Sequence, residues 1–510
     1  MSLSVTDTLS GERRPFDVED DEVLLYVCGL TVSDEAHLGH ARLWFHADIL
    51  HRWLEHLGYD VRHVENVTDV NEKIAARVGE REGWDTEADV ARHFTREVIE
   101  DMRGLNLLRA EVYPRVSEHV PEIVDLVGTL VERGYAYEAN GSVYFDVTRF
   151  DRYGELSNQK LDELESDADA DELAEKRHPT DFALWKAGGV SESAVREHRK
   201  HEHDDALPSG MTWDSPWGEG RPGWHIECSA MSMTHLGETL DVHMGGRDLV
   251  FPHHENEIAQ SEAATDRTFA RYWLHNGLLR TKEDKMSSSL GNFFTASDAL
   301  KEFGVNVIRT FYLGAQYRGD QTFSEDAIVE AEERWERLER AYEAAVDACD
   351  SVDAGSKSAD DDLRESVETT REAFTEAMNH DLDVRTAYNA LLDLATAVNR
   401  HVGANRPDDA TADANADGDD DGSASYDYRG LRRAVETFEE LGGDVFGLEL
   451  GREADGDVEL AGDLVELVLD VREREREAGN YERADELRDD LEALGVEVED
   501  SAEGATYRFE

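Results

Sequence analysis

The chain has 510 residues, enough for three or four compact units with buried cores. Its formal net charge is −64, from 116 acidic against 52 basic residues, yet 40% of the chain is apolar and periodically spaced, which excludes a disordered polyanion. Three cysteines (Cys28, Cys228, Cys349) exclude a disulfide framework, and the lack of a signal-peptide pattern or an 18-residue apolar run predicts a cytoplasmic protein without membrane spans.

In chain order, Leu24–Gly29 and Val61–Val67 read as strands, with helices at Ala41–Leu57, Asn71–Gly83 and Glu87–Leu105. This alternation predicts a doubly wound, parallel, Rossmann-like α/β sheet. A helix over 118–133 and a hairpin over Tyr135–Val147, turning at Asn140-Gly141, open a different pattern. The acidic stretch Leu161–Lys176 and the charged, His-rich stretch Gly188–Leu207 read as surface insertions. The sheet pattern resumes with a strand at Leu240–Met244, a helix at His253–Ala264 and a strand near Trp273–Leu279. The Rossmann-like domain is therefore expected to be split into 1–110 and 208–290 by an inserted subdomain over 111–207. After a connecting region, 291–324, apolar residues at three- and four-residue spacing predict an antiparallel helical bundle over 325–405. Residues 406–425 read as an acidic disordered linker. Residues 426–510 read as a small α+β unit with helices near Leu431–Leu441, Leu460–Ala478 and Tyr481–Leu494, ending in the strand pair Val496–Glu499 and Thr506–Phe509.

Two short strings carry the chemistry. His37-Leu38-Gly39-His40 stands between the first strand and the first helix, where unpaired backbone N–H groups and the positive dipole end hold phosphate. Gly39 lets the adenine and ribose of ATP approach the backbone, and His37 and His40 place N–H donors on the charge that builds at an α-phosphate under attack. Lys285-Met286-Ser287-Ser288-Ser289 can clamp the pyrophosphate from the other side, so the pair forms a constellation for activating a carboxylate with ATP. Separately, Cys28 ends the first strand, Cys228 lies in Pro222-Gly223-Trp224-His225-Ile226-Glu227-Cys228, and Phe251-Pro252-His253-His254-Glu255-Asn256-Glu257 starts a helix. His253 and Glu257 share a helix face, and two thiolates, one imidazole and one carboxylate suit zinc. His254 also has a usable spacing to Glu257, and spacing alone does not choose between the two histidines.

These strings, with Thr31–His40, Asn66-Val67-Thr68-Asp69, Gly245-Gly246, Asp248, Phe251–Gln260 and Lys285–Asn292, resemble the class I cysteinyl-tRNA synthetases over nearly the whole chain. The resemblance implies activation of L-cysteine with ATP, with Mg2+ on the phosphates, and transfer to the 3′ end of tRNA(Cys). It implies one zinc per chain on Cys28, Cys228, His253 and Glu257, favouring His253 over His254. In that family zinc takes the substrate thiol directly, and a serine hydroxyl is a far poorer ligand. It further implies catalytic roles for His37, His40 and Lys285, ATP contacts for Gly39, Lys285, Ser287 and Ser288, and cysteine contacts for Gly29, Thr68, Trp224 and Asp248. Residues 291–324 become a stem-contact region and 426–510 an anticodon-binding end. There Val471–Arg476 and Asn480–Arg488 supply arginines for phosphates and Tyr481 or Tyr507 a stacking surface. No DNA partner is expected, and the chain reads as a monomer.

The family's second signature is usually KMSKS, and here Ser288 replaces its second lysine. The clamp is then expected to rest on Lys285 and backbone N–H groups. Lys285→Ala should lower adenylate formation well beyond twofold in a pyrophosphate-exchange assay; a change within twofold would remove Lys285 from the clamp. Two other readings compete: a ligase joining cysteine to an amino sugar, against which residues 426–510 argue, and a non-catalytic RNA-binding paralogue, supported only by Ser288. The acidity itself reads as the habit of a halophilic organism, because at molar salt the screening length falls to about 3 Å and self-repulsion is muted. Dilution from molar KCl to about 0.1 M, roughly a threefold longer screening length, should lower both turnover and circular dichroism; unchanged signals would overturn the reading.

Overall fold

The structure is a computed structural model. It describes residues 2–161, 170–200, 207–281, 294–405 apart from 353, 356 and 357, and 426–451, together with 496–501, 504–509 and scattered positions between 465 and 491. It divides into two compact units, Met1–Leu450 and Gly451–Glu510.

The centre of the first unit is a four-stranded parallel sheet, ordered Ala270–Asn276, Leu240–Gly246, Glu22–Thr31, Asp60–Thr68. Both faces are covered, which is why Leu25, Tyr26, Val27 and Cys28 are buried in succession rather than alternately. The chain winds first to one side of Glu22–Thr31 and then to the other, so a topological switch point lies between this strand and Leu240–Gly246. Crevices at the carboxyl ends of such strands are where this architecture binds ligands. The register of Glu22–Thr31 against Asp60–Thr68 slips between Val27 and Leu30, a bulge that carries Cys28 and Gly29. A Cβ on Gly29 would lie 1.7 Å from the Asn66 carbonyl oxygen, so the close approach there requires glycine.

The second sheet is antiparallel and joins Ala136–Ala139, Ser142–Phe145, Phe182–Ala187 and Gly220–Pro222. The expected Asn140-Gly141 turn is present, with φ of 50° and 87°. Gly220–Pro222 lies beyond residue 207, where the sequence reading ended the inserted subdomain. It leads directly into the helix Trp224–Leu236, which packs on both Asp60–Thr68 and Phe182–Ala187. The stretch 188–207 is more than a surface insertion. Its helix Glu192–His198 packs on Glu72–Arg77 and buries Val195 with Ala75, Ala76 and Val190. The helix expected over 71–83 is correspondingly short, Glu72–Arg77, because the residues after it turn back to meet this contact.

The helices Ala296–Leu313, Glu325–Asp350, Asp361–Asn379 and Val384–Ala404 form the bundle. Ile328, Ala331, Trp335, Leu338, Ala341, Ala345 and Ala348 mark the buried stripe of the longest one. The helix Tyr428–Thr437, assigned from sequence to the last unit, packs on Glu325–Asp350 and Asp361–Asn379 and lies in the first unit. One buried cation ties the bundle to the sheet domain. Arg309, fully buried, pairs with Asp48 Oδ2 at 2.6 Å and donates to the carbonyls of Leu105 at 2.7 Å and Phe446 at 2.8 Å. In the second unit Val496–Ser501 and Gly504–Phe509 form the expected antiparallel pair, and Val465, Leu491 and Val496 make a small core. Tyr481 is exposed there, whereas Arg472 is buried. The linker 406–425 lies outside the described residues, as do Lys285, Ser287 and Ser288. No described helix is long and apolar enough to cross a membrane.

Candidate active site

At the carboxyl ends of the parallel strands lies a cleft of about 380 Å³, bordered by Cys28, Thr31, His37, His40, Trp224 and Asp248 among others. His37 is the N-cap of the helix Leu38–His56. Its Nδ1 accepts from the Gly39 N–H at 3.0 Å and the His40 N–H at 3.3 Å, and His40 Nδ1 accepts from the His37 N–H at 3.2 Å. This is a capping box built from two stacked imidazoles, with ring centroids 3.7 Å apart. It adds two facts to the sequence expectation. These backbone N–H groups are already taken, and Gly39 is glycine because a Cβ would lie 2.8 Å from the His37 ring. Because both Nδ1 atoms accept, the neutral form of each ring carries its proton on Nε2.

The chain that follows the second motif is pinned beside the first. The Leu38 N–H donates to the Phe294 carbonyl at 3.1 Å and the Ala296 N–H to the Ala36 carbonyl at 2.8 Å. Leu279, on the other side of 282–293, also borders the cleft. Both described flanks of the Lys285–Ser289 string therefore stand at His37–His40.

The four expected metal ligands come together beneath the cleft. Cys28 Sγ lies 3.7 Å from Cys228 Sγ and 3.4 Å from His253 Nε2, and His253 Nε2 lies 3.1 Å from Glu257 Oε1. All four residues are buried. The regular helix begins at Glu255, after a wide turn over Val250–His254, but His253 and Glu257 still share a face. Cys28, His253, His254 and Glu257 form a group with ligand atoms all within 4.8 Å of one another, so His254 is a fifth donor near the centre. Its ring packs among His243, Trp273 and His275, and its Nδ1 is 2.8 Å from His275 Nε2.

The surroundings fit a soft divalent cation. His254 Nε2 is buried without a hydrogen-bond partner, and the buried Glu257 Oε1 faces His253 Nε2 at 3.1 Å. Burial works against ionising Glu257, but His243 and His253 outweigh it and hold its carboxyl at about 2. Burial likewise opposes protonation of His253, yet Cys228 and Glu257 push it up to about 10. Both shifts express one field, a pocket that draws positive charge. The neighbouring Cys28 thiol and burial push the Cys228 thiol up, as expected of two thiols that ionise together only against a cation.

Three residues that orient this centre escaped sequence reasoning. His243 Nε2 meets Glu257 Oε2 at 2.9 Å, and His225 Nδ1 meets His253 Nδ1 at 2.9 Å, leaving the Nε2 edge of His253 toward the thiols. Asn66 Oδ1 accepts from Tyr26 Oη at 2.9 Å and the Gly29 N–H at 2.8 Å, with Cys228 Sγ at 3.8 Å. Of the residues expected to hold the substrate, Gly29, Trp224 and Asp248 line the cleft, and the Trp224 ring stands 4.4 Å from that of His253. Thr68 does not line it. It is buried, with Oγ1 accepting from Asn66 Nδ2 at 3.2 Å.

Comparison with known proteins gives consistent matches. The profile of the tRNA synthetase class I (C) catalytic domain matches residues 16–333, and that of the cysteinyl-tRNA ligase anticodon-binding domain matches residues 462–508. The chain is 62% identical to the cysteine–tRNA ligase of Haloarcula marismortui and 60% identical to that of Halobacterium salinarum, covering 100% of both chains in each case. Among solved structures, a Mycobacterium tuberculosis methionyl-tRNA synthetase with methionyl-adenylate superposes with a TM-score of 0.58 at 15% identity, over 84% of this chain and 92% of that one. At that identity the likeness concerns the fold.

Proposed function

Because the chain belongs to the class I cysteine–tRNA ligases, we propose that it condenses L-cysteine with ATP to cysteinyl-adenylate in the His37–His40 cleft and transfers the cysteinyl group to tRNA(Cys). The observation that carries the substrate assignment is the meeting of Cys28 and Cys228 at 3.7 Å, with His253 and Glu257, on the floor of that cleft. Zinc held by Cys28, Cys228, His253 and Glu257 would offer soft Lewis acidity that a thiolate meets and a serine hydroxyl does not. The packing of His254 in an aromatic cluster supports leaving it out of the ligand set.

The chain's own residues do the rest by positioning. His37 and His40 present Nε2–H donors to the α-phosphate, where charge grows as the carboxylate attacks; removing one such donor costs about 10²–10³ in rate. Asp248 and Trp224 receive the ammonium end, while Lys285 and the Ser287–Ser288 backbone steady the pyrophosphate. Asn66 stabilises the bulge that aims Cys28 downward. No covalent enzyme intermediate is needed. The acidic surface fits a saline cytoplasm, where charge repulsion toward tRNA is screened.

Purified protein in molar KCl should contain one zinc per chain and catalyse ATP–pyrophosphate exchange with cysteine about 10⁴ times better than with serine, the discrimination that specific polar contacts can reach. It should also charge a tRNA(Cys) transcript. Exchange without preference for cysteine would overturn the zinc-thiol assignment, and exchange without charging would overturn the tRNA acceptor.

A further inference from the structure

The inserted stretch 188–207 reaches the edge of the cleft that holds His37 and His40. Its helix Glu192–His198 has seven residues, too few to stay helical in water without packing. The docking of Val195 on Ala75 and Ala76 supplies that packing. Two hydrogen bonds extend it. The Lys200 N–H donates to Glu80 Oε1 at 2.6 Å, and Arg199 Nη2 donates to the Val78 carbonyl at 3.5 Å. The insertion is thus anchored along residues 72–80, which follow the edge strand Asp60–Thr68 of the parallel sheet.

Two cations in this contact meet one carboxylate. Arg77 is almost fully buried and divides its guanidinium between two partners. Nη1 donates to the His198 carbonyl at 2.5 Å, while Nε and Nη2 donate to Asp34 Oδ1 at 3.2 and 3.1 Å. Lys200 Nζ, carried by the insertion, closes on the same Asp34 oxygen at 2.5 Å. That separation lies inside the screening length of about 3 Å at molar salt, so the pair persists there.

Asp34 borders the cleft together with Ser33, Glu35 and His37. It lies in the turn between the strand Glu22–Thr31 and the His37 cap, three residues ahead of that ring. Backbone bonds fix both ends of this turn. The Ser33 N–H donates to the Thr31 carbonyl at 3.0 Å, and the Ala36 carbonyl accepts from Ala296 at 2.8 Å. Its middle is held through the Asp34 carboxylate. Released from its cations, that carboxylate would loosen the turn and repel the phosphates of ATP.

Resting on the ATP reading above, we infer that the insertion positions the first ATP motif. Lys200 is a positioning residue that acts through Asp34: with Arg77 it holds the carboxylate against the docked helix, which steadies the turn that carries His37. The Lys200 side chain is 50% exposed, so its removal leaves the docked helix in place.

The test compares Lys200→Ala, Lys200→Arg and Val195→Asp with wild type in molar KCl, by ATP calorimetry and by cysteine-dependent exchange. Lys200→Ala should weaken ATP about three- to fivefold in both Kd and KM, the upper range for a partly exposed ion pair. Its KM for cysteine and its zinc content should match wild type, and Lys200→Arg should restore the ATP affinity. Val195→Asp, which puts an unpaired charge into the docking contact, should weaken ATP at least as much. In an Asp34→Asn background Lys200→Ala should have no further effect, because the two residues act as one pair. Unchanged ATP affinity in Lys200→Ala, or an equal rise in its KM for cysteine, would overturn the inference. The same loss with and without the Asp34 carboxylate would overturn it in favour of direct contact between Lys200 and the nucleotide. Wild-type protein that binds no ATP would instead overturn the reading of the cleft on which it rests.

Discussion

Cys228→Ser should lose its zinc on gel filtration and lower cysteine-dependent exchange by more than about a hundredfold, the upper cost of disturbing even a group that merely orients a metal ligand. His254→Gln should keep both. The contrast matters because five donors surround the centre and zinc favours four. Cys228 supplies soft sulfur 3.7 Å from Cys28, whereas His254 is committed through Nδ1 to His275 and through its ring to Trp273. Elemental analysis of the two variants decides between them. Zinc retained in Cys228→Ser and lost from His254→Gln would exchange the two residues in the ligand set.

Asp48→Ala should lower unfolding stability by about 3–5 kcal/mol, the cost of leaving a buried charge without its partner. Arg309 has no exposed surface and would keep only the carbonyls of Leu105, Asn106 and Phe446. Asp48 belongs to the helix that His37 caps, and Arg309 to the helix Ala296–Leu313, so the pair also joins these two helices. Urea unfolding in molar KCl measures the loss. Arg309→Met in the Asp48→Ala background should recover part of it, because the stranded cation is then gone. A loss below about 1 kcal/mol, the level of an exposed pair, would mean that the carbonyls alone satisfy the guanidinium.

The elements carried by periodicity were legible. The central strand Glu22–Thr31 announces itself as a nearly continuous apolar run and extends the predicted Leu24–Gly29 by two residues at each end, while Asp60–Thr68 extends Val61–Val67 by one at each end. The donor set was legible as residue types, and the resemblance supplied which histidine to prefer. What stayed hidden was relational. A polar residue such as Asn66, His225 or His243 carries no pattern of its own, and its task appears only when a distant partner arrives. The same holds for Glu192–His198, a short polar helix whose single buried valine gains meaning from Ala75 and Ala76. The His37 ring beside Gly39 was likewise hidden, since a cap by a histidine ring lacks the Ser, Thr, Asp or Asn signature that marks most caps.

The two sulfur atoms that meet beneath the cleft are 200 positions apart in the chain. At about 5–20 residues per second on the ribosome, roughly 10–40 s pass between the synthesis of one and of the other. The four-residue centre closes only once Glu257 has followed, before the last strand of the parallel sheet, Ala270–Asn276, has been made, so its side chains wait on that strand to be held in the finished sheet.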